Sequence, residues 1–131
     1  MQYIKGIDAF REEKRPAVTL GKFDGLHRGH QKLIEKIRSY AGNDCVSVVC
    51  AFDMQRSCLM TKEERKKLLA GKVDYLIDYP FTGDLMTMEA ERFIQKILYE
   101  KLHAAHIVVG SDFSFGYRKR GDHQMLERYA Q

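Results

Sequence analysis

The stretch VTLGKFDGLHRGHQKLIEKI, residues 18–37, decides how the rest of the chain is read. It starts as an apolar run, passes through a turn with three glycines and two histidines, and ends as an amphipathic segment. Residues 17–21 (AVTLG) predict a short buried strand. Residues 30–41 (HQKLIEKIRSYA) predict a helix: Leu33, Ile34, Ile37, Tyr40 and Ala41 share one face, while Lys32, Glu35, Lys36 and Arg38 face water. Gly42 and Asn43 are its stop signal.

The same alternation continues downstream. Residues 45–52 (CVSVVCAF) form an unbroken, valine-rich apolar run, the pattern of a strand covered on both faces. Residues 61–70 open with Thr61 and carry Glu64 three positions on, the spacing of a reciprocal capping box, and Gly71 follows as the stop. Residues 74–79 (DYLIDY) predict another strand, ended by Pro80. Residues 88–104 predict the longest helix, with Thr87 as its cap and Phe93, Ile94, Ile97, Leu98 and Leu102 as its apolar stripe. Residues 106–110 (HIVVG) predict a fourth strand. Asp122 is read as the cap of a last helix that buries Leu126 and Tyr129. The N-terminal QYIKGI adds one more candidate strand, and FREEKRP (10–16) reads as a charged, solvated loop. Strands alternating with helices imply a doubly wound parallel α/β sheet, Rossmann-like, with helices on both faces.

Composition narrows the function classes. The chain has 131 residues, 44% apolar and 31% charged, which suits one globular domain with a real core. No apolar run approaches the roughly 18 to 20 residues that span a bilayer, and the N-terminus has no signal-peptide pattern. The three cysteines, Cys45, Cys50 and Cys58, are odd in number and irregular in spacing. That pattern suits reduced thiols and a cytoplasmic protein better than a disulfide framework, with Cys45 and Cys50 structural. A net charge of +4 favours anionic partners without choosing among them. The basic residues are scattered over helix faces and one loop, without interleaved aromatics, so nucleic acid is not the expected partner.

The chemistry concentrates in GKFDGLHRGH. In open parallel sheets ligands bind beyond the C-terminal ends of the strands, where this segment falls. Gly21, Gly25 and Gly29 allow a ligand to approach the backbone. The helix start offers free N–H groups and a partial positive charge, a ready phosphate site. His27 and His30, three apart, can converge there and donate hydrogen bonds to phosphate oxygens. The segment is neither a P-loop nor a dinucleotide fingerprint. The residues alone leave two other readings open. Asp24 could cap the turn with the histidines merely on the surface, or the pair could begin a zinc site, for which no third ligand lies near. Metal binding by Cys45, Cys50 and Cys58 is a weaker alternative for the thiols, and no metal site is assigned.

LGKFDGLHRGHQKLI closely resembles the signature of the bacterial FAD synthetases, the bifunctional riboflavin kinase / FMN adenylyltransferases. It contains the H-x-G-H motif of the nucleotidyltransferase superfamily, here His27-Arg28-Gly29-His30. A second block, IVVGSDFSFGYRKRGD (107–122), resembles that family's G-x-D-F-x-F-G…G-D segment. The resemblance extends from about residue 16 to the end of the chain and implies a doubly wound nucleotidyltransferase fold. It also implies transfer of AMP from ATP to FMN, giving FAD and pyrophosphate with Mg²⁺. It places His27 and His30 on the ATP phosphates as the catalytic pair, and Gly21, Phe23, Asp24, Gly25 and Gly29 along the nucleotide. Phe52, Asp112, Phe113 and Phe115 fall on the flavin side; core packing is the competing reading for the two phenylalanines of the second block. One well-aimed donor supplies roughly 2.7 to 4 kcal/mol. Two therefore fall short of the roughly 8 to 23 kcal/mol of enzymatic acceleration, and further cations are required. The run Arg118-Lys119-Arg120 is one source, if it is not simply a solvated loop.

The sequence departs from the family in two places. Where the family carries a proline-bearing TFDPHP-like segment, residues 51–57 read AFDMQRS; Phe52 and Asp53 match and the prolines do not. No counterpart of the family's I-S-S-x-x-I-R segment follows, and no riboflavin kinase domain. The expectation is a single, C-terminally truncated FMN adenylyltransferase-like domain over residues 1–131, with weak or no activity alone. ATP, FMN and FAD are its expected partners, with no nucleic acid and no membrane. Two other classes stay open: a nucleotidyltransferase with another phosphorylated acceptor, and a non-catalytic nucleotide or flavin sensor.

Overall fold

The valine-rich run forms the middle of the sheet because both of its faces are apolar. In the computed structural model, which describes residues 1–6, 10, 14–21, 28–42, 45–53, 62–80, 88–110, 114–115, 121–122 and 124–126, this run is strand β3, Cys45–Asp53. At residues 28–30, 53, 62, 65, 80, 114–115 and 122 only the backbone is described. The other sheet strands are β1 (Gln2–Lys5), β2 (Arg15–Gly21), β4 (Tyr75–Pro80) and β5 (His106–Val108). They lie in the order β1-β4-β3-β2-β5, and every pair is parallel. The doubly wound α/β expectation is met, and QYIK is a true strand.

Strand alternation sorts the core into two layers. Val18, Leu20, Val48, Cys50, Phe52, Tyr75 and Ile77 face one side with Phe93, Ile94, Ile97, Leu98 and Leu102. Ala17, Val49, Ala51 and Leu76 face the other with Ile34, Ile37 and Leu69. The second layer is supplied by α1 (Arg28–Tyr40) and α2 (Lys62–Leu69). Ile34 and Ile37 of α1 are buried, whereas Lys32, Glu35, Lys36 and Arg38 are exposed, as the 3.6-residue period requires. At the far end of α1, Tyr40 stacks on His106 of β5, centroids 3.9 Å apart and rings 7° from parallel. Asp74 ties β3 to the start of β4: its Oδ2 accepts the Ser47 backbone N–H at 2.9 Å.

Four readings of the sequence need correction or narrowing. The longest predicted helix is a short α segment, α3 (Ala90–Phe93), that runs on as π-helix over Ile94–Lys101. Its apolar stripe is buried as expected. Asp122, read as a helix cap, is by its backbone the end of β7 (Gly121–Asp122), which pairs antiparallel with β6 (Ser114–Phe115). Residues 124–126 are helical and Leu126 is buried, while Tyr129 lies outside the described residues. The stretch 10–16 is not all solvated loop: Phe10 is buried edge-on against Tyr75 at 5.2 Å, and Arg15 and Pro16 open β2. Gly71 stops α2 as predicted, at φ 77°, a conformation that favours glycine. The capping residues Thr61 and Thr87 lie outside the described residues.

Candidate nucleotide site

Strand order dictates where a ligand can sit. From β2 the chain passes through α1 to β3 and through α2 to β4, always stepping the same way across the sheet. After β4 it returns through α3 and the π-helical segment to β5, on the opposite flank of β2. The direction of winding therefore reverses between β2 and β5. At such a switch point the two outgoing connections part and leave a crevice beyond the strand ends.

Gly21 is the last residue of β2 and pairs with Ala51 of β3, so it stands at the mouth of that crevice. Six residues separate it from Arg28, where the backbone enters α1, which puts Gly29 and His30 in the first turn. That turn contains no acidic residue, so nothing in it offsets the helix's positive end. Of the expected nucleotide residues, Gly21 and the backbones of Gly29 and His30 are thus brought to one end of the sheet. Phe23, Asp24, Gly25 and His27 lie outside the described residues, as do Asp112 and Phe113. Phe115 is placed by its backbone, in β6. Phe52 lies next to the end of β3 and is 8% exposed. Its ring meets Phe93 at 6.0 Å and Tyr79 at 6.2 Å, so it is a member of the core layer beneath the strand ends.

Three buried polar groups stand out on the strands. Thr19, two residues before Gly21, is fully buried, and its hydroxyl has no hydrogen-bond partner among the described residues. Leaving such a group unpaired costs about 1 to 3 kcal/mol. Asp78 is buried on β4, and Tyr3 of β1 donates its hydroxyl to Asp78 Oδ2 at 2.6 Å. The ammonium of Lys66 sits over the Tyr3 ring at 3.8 Å. An acidic residue inside the apolar strand LID was a visible signal for Asp78; nothing in the sequence pointed to Tyr3 as its partner. The third is the Cys50 thiol, which burial, reinforced by the charge of Asp78, pushes up to about 12. It is therefore a structural thiol rather than a nucleophile. Among the described residues no group of three or more His, Cys, Asp or Glu side chains could hold a metal ion, and no helix is long and apolar enough to cross a membrane.

Comparison with known proteins shows the family of the chain. The FAD synthetase family profile matches residues 9–131. The chain belongs to the FAD synthetase family. It is 34% identical over 139 residues to a bifunctional riboflavin kinase/FMN adenylyltransferase of Pseudomonas fluorescens, covering 97% of this chain and 45% of that protein. A protein of the same name from Buchnera aphidicola subsp. Schizaphis graminum is 31% identical, again over 97% of this chain and 45% of its own length. The Escherichia coli K12 protein of that name is 28% identical, over 98% and 45%. This FAD synthetase chain thus spans about half the length of the curated relatives it matches. Among solved structures, one titled as a macrolide-efflux protein from Streptococcus pneumoniae superimposes with a TM-score of 0.83 at 24% identity, covering 98% of this chain and 47% of that one. At that identity the likeness carries the fold alone.

Proposed function

We propose that this chain is an FMN adenylyltransferase domain, transferring AMP from ATP to FMN to give FAD and pyrophosphate. The observation that carries the reading is the family match over residues 9–131. A helix start free of acidic residues, beside the sheet's switch point, is what such a site needs. In this reading an FMN phosphate oxygen attacks the α-phosphorus of ATP and pyrophosphate leaves, so no protein nucleophile is required. The protein contributes position and charge. His27 and His30 donate to the ATP phosphates, and Gly21, Phe23, Asp24, Gly25 and Gly29 line the nucleotide. Phe52, Asp112, Phe113 and Phe115 bound the flavin. Mg²⁺ arrives with the ATP phosphates as part of the substrate, and the setting is the cytoplasm.

Calorimetric titration with ATP and with FMN, each with and without Mg²⁺, tests the reading, together with an assay for FAD. Binding of both ligands supports an adenylyltransferase domain, and FAD formation establishes that the chain is active by itself. Binding of FMN without ATP, or of ATP without FMN, would replace the reading with that of a sensor. The altered segment at 51–57 favours a second acceptor test: FAD production should be compared with adenylylation of other phosphorylated acceptors.

A further inference from the structure

Tyr79 stands one residue before the end of β4, at the edge of the parallel sheet where ligands bind. Its register partner on β3 is Phe52. Tyr75 and Ile77 of the same strand belong to the core layer on the α3 side, and Tyr79 packs on that layer as well. Three rings form a tier there. Phe52 lies 6.0 Å from Phe93, and Tyr79 lies 6.2 Å from Phe52. Phe93 and Phe52 are buried, whereas Tyr79 is only partly buried. The tier therefore ends in one ring that is partly open to solvent.

The rest of the sheet edge indicates what such a ring can serve. α1 packs on the opposite face, against the layer of Ala17, Val49, Ala51 and Leu76. Phosphate held at the start of α1 is therefore close to the end of β2. β4 is two strands away, roughly 9 to 10 Å across the sheet at the usual strand spacing. A ligand that reaches both places needs an anionic end, a flat apolar end and a linker. FMN is built that way, with a phosphate, a ribityl chain and an isoalloxazine. The isoalloxazine is a wide tricycle with a methylated edge. A tier of three rings with no charged side chain in it suits that ring better than a purine, which is recognised through its polar edge.

We propose that Tyr79 is a flavin-contacting residue, its ring stacking on the isoalloxazine of FMN while Phe52 and Phe93 support it from behind. The inference deepens the adenylyltransferase reading and rests on it for the identity of the ligand. Phe52 is then a positioning residue: it sets the angle of the Tyr79 ring, which is tilted 48° from its own. Tyrosine suits a place that is half in water. Its hydroxyl stays solvated while the body of the ring offers apolar area to a flat ligand.

The test uses the whole chain, titrated with FMN and with ATP by calorimetry, as wild type, Tyr79→Phe and Tyr79→Leu. Phenylalanine keeps the ring; leucine keeps apolar bulk without an aromatic face. FMN affinity should fall about tenfold in Tyr79→Leu, the scale of one lost aromatic stack, and stay near wild type in Tyr79→Phe. ATP affinity should be unchanged in both. In the wild-type complex, nuclear Overhauser effects should connect the isoalloxazine protons to the Tyr79 ring, whose signals are assigned by their loss in Tyr79→Leu. A role in core packing alone would not produce them. Their absence, or an FMN affinity that Tyr79→Leu leaves intact, overturns the proposal. Equal losses of FMN and ATP in Tyr79→Leu would assign the ring to packing and overturn it too. If the wild-type chain binds both ligands while these tests fail, the adenylyltransferase reading stands without Tyr79. If it binds FMN against Tyr79 but no ATP, the contact stands and that reading falls. A wild-type chain that binds no FMN removes both.

Discussion

Arg15, the first residue of β2, closes the end of the π-helical segment by reaching the carbonyl of His103. Its Nε donates to that oxygen at 3.0 Å, and its Nη2 donates to the Ala104 carbonyl at 3.0 Å. His103 has φ 54°, a left-handed conformation uncommon for a residue with a side chain. The turn there leads directly into β5, and the Ala105 N–H is taken by the Pro16 carbonyl at 2.8 Å. One side chain thus neutralises the exposed carbonyls of a helix end and fixes the angle at which β5 meets β2. That matters for function because β2 and β5 flank the switch point.

Arg15→Ala should therefore loosen the β2–β5 junction. Both bonds are solvent-exposed, so screening reduces their value. The expected loss is about 1 kcal/mol, measured as a lower urea midpoint. Arg15→Lys should recover less than half of it, because an ammonium cannot serve two carbonyls with a planar fork. Full recovery with lysine would show that charge alone matters here.

Tyr3→Phe tests the corner where β1 meets β4. The phenol hydroxyl is a donor to a buried carboxylate, and phenylalanine keeps the ring under Lys66 while removing that donor. A buried acceptor that loses a partner costs about 1 to 3 kcal/mol. The same midpoint measurement applies. A loss confined to Tyr3→Ala and absent from Tyr3→Phe would assign the corner's stability to ring packing.

The Cys50 thiol gives a pH dependence with a definite sign. Its ordinary value is 9.0, and burial holds it near 12 in the folded chain. Above pH 9 the unfolded chain releases this proton while the folded chain keeps it. Stability is therefore full below pH 9 and falls as pH rises toward 12. Between pH 8 and pH 10 this one group should remove about 1.4 kcal/mol. Lysines and tyrosines titrate over the same range, so the measurable quantity is the difference from Cys50→Ala. Parallel pH slopes for the two proteins would contradict the burial argument.

How much of this was legible beforehand depends on whether a feature is local. The run from Cys45 to Asp53 announced itself because burial on both faces demands an unbroken apolar sequence. The Ile34–Ile37 stripe announced α1 in the same way. The stripe through Phe93, Ile94, Ile97, Leu98 and Leu102 revealed a helix but not its π winding, because the same apolar residues satisfy both. The β6–β7 pairing joins Ser114 to Asp122, eight positions apart, a relation that local patterns do not carry, and the sequence offered Asp122 only as a cap. Phe10 was hidden among charges although its ring is core. At the candidate site, the glycines and histidines marked where β2 ends and α1 begins. Thr19 gave nothing away, since threonine is an ordinary strand former and nothing local shows that its hydroxyl is buried.

His30→Ala is the variant on which the nucleotide reading turns. Position 30 lies in the first turn of α1, beside a helix end that contains no carboxylate to repel an anion. If the imidazole serves phosphate, its removal takes away a charge-assisted donor, worth roughly ten- to a hundredfold in ATP affinity. The flavin ring lies elsewhere in this reading, so FMN affinity should change much less. Calorimetry with ATP, with AMP and with FMN separates the contributions: the ATP loss should exceed the AMP loss, because AMP lacks the β- and γ-phosphates. Equal losses for ATP and FMN would point to collapse of the helix start rather than loss of a ligand contact. No loss for either would remove His30 from the site.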